Sequence, residues 1–179
     1  MSNNKQYALN SKEVAKATYD LLEERGVSIE AIAELVYFLQ KDYFAALTVD
    51  SCVEHVKAVL SKREVQNAVL TGIQLDILAD QGKLIAPLQD MISNDESLYG
   101  CDEILALSIV NVYGSIGFTN FGYIDKLKPG ILVELNKKDD VITHTFLDDI
   151  VGAIAASAAS RMAHRRQAEL EGETTPPLD

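Results

Sequence analysis

Apolar side chains recur at helical spacing along the first half of this chain. Within residues 14–22, 29–39 and 65–77, apolar positions stand three or four residues apart and polar positions lie between them. This spacing places the apolar side chains on one face of a helix. Ser28 fits the N-terminal cap of the second segment, and Gly82 fits the end of the third. The pattern predicts a series of amphipathic helices.

Only one segment has strand character. Ile131–Leu135 is short and apolar, but no other segment alternates with the two-residue period of a strand, so it lacks a partner. We therefore predict an all-α fold, a single compact multi-helix domain over residues 11–168. The polar segment 1–10 and the proline-containing segment 169–179 are predicted to be flexible tails.

Residues 104–124 contain no charged side chain, and this length is close to that of a membrane span. Hydroxyl and amide side chains interrupt the segment, and Gly114, Gly117 and Gly122 disfavour a continuous helix. We predict a buried helix over residues 103–113 followed by a glycine-rich loop, in preference to a membrane span.

The last long helix is predicted over residues 145–167 and is rich in small side chains. Glycine, alanine and serine occupy all eight of the positions 152, 153 and 155–160. Small residues let neighbouring helices approach closely, so we predict a central helix that is packed on several sides. Arg161, His164, Arg165 and Arg166 are interpreted as cations at its C-terminal end, where the helix dipole favours them.

Composition narrows the function classes. The 179 residues include 16 basic and 27 acidic side chains, a net charge of −11 that would repel phosphate backbones and makes nucleic acid an unsuitable partner. The 2 cysteines, Cys52 and Cys101, stand in no ligand spacing and are interpreted as core residues, which excludes a disulfide scaffold and a zinc ribbon. The N-terminal residues show no export signal. We expect a cytoplasmic protein with at most peripheral membrane contact.

Three acidic sites border the uncharged segment and the small-residue helix. They are the pair Asp102 and Glu103, the single Asp125, and the pair Asp148 and Asp149. The helix dipole alone explains an acid in a first turn. A group of oxygen ligands without histidine or cysteine instead suits Mg²⁺, which commonly bridges to a substrate phosphate. If the three sites converge, the sequence predicts phosphoryl transfer or hydrolysis at a Mg²⁺ centre.

Other polar residues are candidates for contacts with the substrate. Lys126 and Lys128 follow the single acid and could neutralise a phosphate, and Asn120 is a further candidate substrate contact. His144 precedes the long helix and is a candidate substrate contact or proton donor, or else a local turn partner. Asp76 is interpreted as solvated helix surface. The motifs of cysteine phosphatases, P-loop proteins and serine hydrolases do not occur.

The acidic sites lie in three ordered motifs. These are C-D-E-I-L-A-L at 101–107, Y-I-D-K-L-K-P-G at 123–130 and F-L-D-D-I-V-G-A at 146–153. In these motifs, and over residues 100–165 as a whole, the sequence resembles the phosphatidylglycerophosphatase A family. The intervening YGSIGFTNFGY looks like the form found in soluble Gram-positive members. The P-G-T-x-G-S segment of membrane-embedded members is absent from residues 1–95.

The resemblance implies a helical, Mg²⁺-dependent phosphatase that removes the terminal phosphate of phosphatidylglycerophosphate to give phosphatidylglycerol. It makes Asp102, Glu103, Asp125, Asp148 and Asp149 the metal-ligand candidates. The two lysines become phosphate contacts. The nucleophile is either a carboxylate of the second pair, which together with His144 forms the candidate catalytic set, or a water molecule at the metal.

Two alternatives stay open. The net charge of −11 opposes binding to anionic membranes, which favours a water-soluble phosphate ester as the substrate. A non-catalytic helical module could instead use the acids to bind a metal or a phosphorylated ligand. In each case we expect a homo-oligomer, because small-residue helices and uncharged segments often pack across subunits.

Overall fold

Nine α-helices form the regular structure of residues 10–137 and 142–172, the part of the chain that the computed structural model describes. They are α1 (Ser11–Glu24), α2 (Ile29–Gln40), α3 (Val49–Leu60), α4 (Arg63–Asp80), α5 (Leu88–Ser93), α6 (Cys101–Val110), α7 (Gly114–Leu127), α8 (Ile131–Leu135) and α9 (Leu147–Leu170). A 3₁₀ turn, Asn111–Tyr113, joins α6 to α7. These residues contain no strand, which confirms the all-α prediction. Most of the two predicted tails, residues 1–9 and 173–179, lies outside the described residues.

Helix α9 is the centre of the fold. Every residue from Leu147 to Met162 is buried, and α2, α3, α4, α6 and α7 all pack against this part of the helix or its continuation. Gly152 packs against the side chains of Phe121 and Ile124 on α7. A Cβ atom added at Gly152 would lie 3.5 Å from Phe121 Cε2 and 3.7 Å from Ile124 Cγ2. The small residues therefore let several helices approach α9 closely, as the sequence predicted.

The predicted glycine-rich loop is wrong, because residues 114–127 form α7. Gly114 adopts φ +73° and ψ −162°, which turns the chain between α6 and α7. Gly117 lies within the helix, where an added Cβ atom would come 3.1 Å from Cγ1 of Val110. Close packing on α6 and α9 thus outweighs a helix-propensity cost of about 1 kcal/mol per glycine.

The turn between α6 and α7 brings the far ends of both helices to the start of α9. Its Tyr113 carbonyl accepts a hydrogen bond from Ser160 Oγ, twelve residues beyond Asp148 on α9. Cys101–Leu127 is long and apolar enough, by composition, to cross a membrane, and 33% of its most apolar window is buried in the fold. In this structure the segment is two helices that flank α9.

Two further segments can be compared with their interpretation from the sequence. Ile131–Leu135, the strand-like segment, is helix α8, which follows a turn at Gly130 (φ +56°). Leu132 and Leu135 are both buried, and their spacing of three positions fits one face of a helix. Cys101 is exposed because it begins α6 at the surface, whereas Cys52 is buried as predicted.

Gly72 on α4 marks the closest approach to the start of α9. An added Cβ atom would lie 2.4 Å from Ile150 Cδ1 and 3.0 Å from Phe146 Cβ. We expect Gly72→Val to lower the free energy of unfolding by about 1–3 kcal/mol, the usual cost of overpacking, in a urea titration. Gly122→Ala is the matched control, because nothing lies within 4 Å of its added Cβ, and it should stabilise by up to about 1 kcal/mol. Equal stability of Gly72→Val and the natural chain would contradict this packing.

Candidate metal centre

The structure brings all five predicted carboxylates to one place, around the start of α9. Asp102 and Glu103 lie in the first turn of α6, and Asp148 and Asp149 lie in the first turn of α9. Asp125 stands near the end of α7. Since α6 begins and α7 ends beside the first turn of α9, the convergence follows from the hairpin that α6 and α7 form.

Asp102, Glu103 and Asp149 form the tightest group. One carboxylate oxygen from each lies within 4.8 Å of the other two. Asp102 and Asp149 are buried and Glu103 is exposed, so the group lies at the protein surface with two of its members inside. Asp102 Oδ1 is buried and has no hydrogen-bond partner among the described residues. A buried carboxylate oxygen in this state is suited to a cation.

Lys128 joins the remaining carboxylates to this group. It follows the last residue of α7 in the left-handed conformation (φ +44°), which directs the chain away from the helix. Its Nζ donates hydrogen bonds to Asp125 Oδ1 at 2.6 Å and to Asp148 Oδ2 at 2.8 Å. Asp149 Oδ1 lies 3.6 Å from the same nitrogen. One ammonium group therefore contacts three of the five acids.

The crowding of carboxylates changes their proton affinity. Burial raises the pKa of Asp102 to about 7, and the nearby Glu103 contributes in the same direction. Burial, followed by the charge of Asp148, raises the pKa of Asp149 to about 8. Burial opposes the charged form of Lys128, but Asp148 and Asp125 outweigh it and raise the pKa of the ammonium group. A bound divalent cation would relieve this repulsion.

These residues fit Mg²⁺ better than a softer metal. The donors are carboxylate oxygens, and a hard cation of this kind is held by one or two carboxylates together with water and substrate phosphate. Asp102, Glu103 and Asp149 could supply such ligands, with the unpartnered Oδ1 of Asp102 as one of them.

Asp76 was interpreted as solvated surface, and that interpretation is wrong. Its side chain on α4 is fully buried and accepts hydrogen bonds from the backbone N–H groups of Phe146, at 3.1 Å, and Leu147, at 3.0 Å. Phe146 is the N-cap of α9 and provides no side-chain cap itself. Asp76 thus caps α9 from another helix and holds the turn that carries the aspartate pair. Its spacing of three from Ile73 and seven from Val69 indicated the buried face of α4.

The other predicted site residues are more dispersed. His144 and Asp148 line one cavity of about 330 Å³ beside the acids. Lys126 is exposed on α7. Asn120 lies in a different cavity, of about 480 Å³, together with Arg166 of α9. The structure therefore places His144 next to the carboxylates and leaves Asn120 in other surroundings.

Comparisons with known proteins agree with the motifs at this centre. The family model described as Phosphatidylglycerophosphatase A matches residues 22–164. The uncharacterized protein YutG of Bacillus subtilis (strain 168) is 63% identical over 165 residues, which cover 92% of this chain and 97% of the relative. The uncharacterized protein YpjQ of the same strain is 56% identical over 163 residues, covering 91% of this chain and 90% of the relative.

Solved structures share the fold. The low temperature requirement C protein from Listeria monocytogenes superposes with a TM-score of 0.86 at 63% identity, covering 88% of this chain and 99% of that chain. The crystal structure of YpjQ from Bacillus subtilis gives a TM-score of 0.86 at 55% identity, covering 90% and 99%. The helical arrangement around α9 is thus common to these proteins.

Proposed function

Because the chain belongs to the phosphatidylglycerophosphatase A family, we propose that its acidic centre is a Mg²⁺-dependent phosphatase site for a phosphomonoester. The observation that carries the proposal is the group of Asp102, Glu103 and Asp149, whose carboxylate oxygens lie within 4.8 Å of one another. The proposed substrate is phosphatidylglycerophosphate, which would lose its terminal phosphate to give phosphatidylglycerol.

Each residue of the centre has a role in this proposal. Asp102, Glu103 and Asp149 would hold Mg²⁺, which when bound supplies positive charge to the phosphoryl oxygens. Asp125 and Asp148 keep Lys128 protonated and fix the position of its Nζ. That ammonium group would then donate to a phosphate oxygen and stabilise the charge that develops during hydrolysis. His144, which lines the adjacent cavity, would give a proton to the leaving alcohol.

A water-soluble phosphate ester is the second candidate substrate. The cavity beside Asp148 is lined mainly by polar side chains, among them Asn94, Asn136 and Lys137, and this lining suits a hydroxylated alcohol rather than acyl chains. The net charge of −11 also opposes approach to an anionic membrane.

A substrate panel decides between these candidates. Phosphate release is measured with Mg²⁺ from phosphatidylglycerophosphate in mixed micelles and from glycerol 3-phosphate and other soluble phosphomonoesters. We expect the lipid to have the highest kcat/KM. Turnover of a soluble ester without release from the lipid would replace the lipid substrate. Absence of turnover with every substrate would contradict the phosphatase and favour a module that binds metal or a phosphorylated ligand.

Variants of Lys128 and Lys126 distinguish a direct contact with the substrate phosphate from a general effect of positive surface charge. Lys128→Gln should lower kcat/KM by at least about tenfold, since it removes a charge-assisted hydrogen bond to the phosphate. Lys126→Gln removes the same charge two residues away on the exposed side of α7 and should change kcat/KM by less than about threefold. Equal losses in both variants would indicate only long-range attraction of the substrate.

We also propose that the protein is cytoplasmic and self-associates through the outer face of α6 and α7. Ile104 on α6 and Tyr123 on α7 are 67% and 53% exposed, and no charged residue stands between positions 104 and 124. Two chains of charge −11 repel each other less across an uncharged surface than across a surface that carries the acidic excess. Sedimentation velocity should show a concentration-dependent oligomer, and a monomer at all concentrations would contradict this assembly.

A further inference from the structure

The C-terminal half of α9 carries three arginines, Arg161, Arg165 and Arg166, in a chain of net charge −11. The sequence interpretation placed them at the end of the helix, where the dipole favours cations. In the structure α9 continues to Leu170, and its last turn contains no basic residue. The helix dipole acts mainly within the last turn, so it does not account for this cluster.

Arg161 is the unusual member because it is buried, with 8% of its surface exposed. Its Nη1 donates to Nδ1 of His55 at 3.1 Å. Among the described residues, no carboxylate lies within ion-pair distance of its guanidinium group. A buried cation without an opposite charge is costly unless something else supplies that charge.

His55 does not supply it. The residue is half-buried, and burial followed by the charges of Arg161 and Arg165 lowers its pKa to about 4, so the ring is neutral near pH 7. Because Nδ1 accepts from Arg161, the ring proton lies on Nε2 and remains available as a donor. The Arg161 guanidinium and His55 Nε2 can therefore each still donate a hydrogen bond to an anion.

Two hydroxyl groups close to Arg161 also lack partners. Tyr113 is buried, its Oη has no hydrogen-bond partner among the described residues, and the charge of Arg161 acts on it. Ser157, one helical turn before Arg161, has a buried Oγ in the same state. Several donors thus surround Arg161, and within the described part of the chain no carboxylate pairs with its guanidinium group.

A cavity of about 660 Å³ opens beside this cluster. Its polar wall includes His55, Arg165 and Arg166, and the guanidinium of Arg166 lies 4.6 Å from the centre of the Phe44 ring. Glu169 is the one acid among its lining residues in the described chain. The apolar part of the lining is formed by Phe44, Ala45, Ala46, Leu47 and Met162.

We propose that this cavity is a second binding site, for an oxyanion carried on a hydrocarbon arm, such as a phosphate ester of an alkyl alcohol. Arg165 and Arg166 would pair with the oxyanion and His55 Nε2 would donate to it, while the hydrocarbon packs on the apolar part of the lining. Twelve residues of α9 separate Asp149 from Arg161, about 18 Å along the helix axis, so the site is distinct from the acidic centre.

The test measures binding of hexyl phosphate and of inorganic phosphate to the full chain by calorimetry, in EDTA so that no divalent cation is available at the acidic centre. We expect hexyl phosphate to bind more tightly than inorganic phosphate. Arg165→Gln and Arg166→Gln, both at exposed positions, should each weaken its binding by at least about tenfold. Lys12→Gln removes one exposed charge from α1 and should leave the affinity unchanged.

Further variants show where hexyl phosphate binds, and an experiment with lipid vesicles shows whether the natural ligand is a lipid headgroup or a free ester. Asp149→Asn should bind hexyl phosphate as the natural chain does. Arg161→Gln should weaken binding without lowering the melting temperature, since it removes a buried unpaired charge. If the natural chain sediments with phosphatidylglycerol vesicles and both arginine variants do not, the ligand is a lipid headgroup. If the natural chain binds hexyl phosphate but not the vesicles, the ligand is a free phosphate ester. No binding of either by the natural chain, or equal binding by the natural chain and both arginine variants, would overturn the proposal.

Discussion

Asp149→Asn is expected to reduce Mg²⁺-dependent phosphate release by at least about a hundredfold, the scale of removing one contact from a preorganised electrostatic site. The change deletes one of the three carboxylates that lie within 4.8 Å of one another. It also replaces a buried carboxyl, whose ionised form is disfavoured by burial and by Asp148, with a neutral amide of the same shape, so the variant should remain folded. Initial rates at saturating Mg²⁺, with circular dichroism of the same samples, provide the measurement.

Asp50→Asn is the matched control for this prediction. Asp50 stands in the first turn of α3 and is exposed, so it shares the helix-dipole position of Asp149 without the neighbouring acids. Its loss should cost about 0.3–1 kcal/mol of stability or less and should leave turnover unchanged. If Asp149→Asn were as active as Asp50→Asn, Asp149 would be an ordinary first-turn acid.

Asp76→Ala is expected to lower the free energy of unfolding by about 2–4 kcal/mol, because it leaves the N–H groups of Phe146 and Leu147 buried without an acceptor. Turnover should fall as well, since these groups begin the helix that carries Asp148 and Asp149. Asp76→Asn keeps an acceptor oxygen and should cost less. Urea unfolding and phosphate release on the same preparations measure both effects, and an alanine variant as stable as the natural chain would contradict the capping role.

The asparagine variant also tests the protonation of Asp76. Burial raises the pKa of this carboxyl from 3.8 to about 8, against the opposing hydrogen bonds from the backbone. The folded state therefore retains a proton that the unfolded chain releases, and the contribution of Asp76 to stability is lost as the pH rises from about 4 through about 8. Over that interval Asp76→Asn should become more stable relative to the natural chain. A constant difference across it would mean that the folded pKa is not raised.

The centre of the fold and the convergence of the acids could be predicted because they depend on local signals. Small residues at successive positions of α9 indicated a helix with close neighbours. Asp102, Asp125 and Asp149 bordered the least polar part of the chain and occurred in family motifs, so their meeting could be expected. The spacing of apolar residues and the order of the motifs can both be read from the sequence without knowing any contact between distant segments.

Other features depended on contacts between distant segments. Gly117 is helical because α6 and α9 pack against α7, an effect that outweighs helix propensity. Asp76 caps a helix that begins 71 residues later, and that partnership exists only in the folded chain. The burial of Arg161 likewise arises where α3 and α9 meet. Spacing alone indicated the buried face for Asp76 but not its hydrogen-bond partners.

The central claim is that the acidic centre hydrolyses a phosphomonoester only with a divalent cation. Phosphate release from phosphatidylglycerophosphate by chelator-treated protein, titrated with Mg²⁺, tests it most directly. The account predicts no release in EDTA, saturable recovery as Mg²⁺ is added, and no recovery in Asp149→Asn. Release that persists in EDTA, or recovery that Asp149→Asn retains in full, would contradict it.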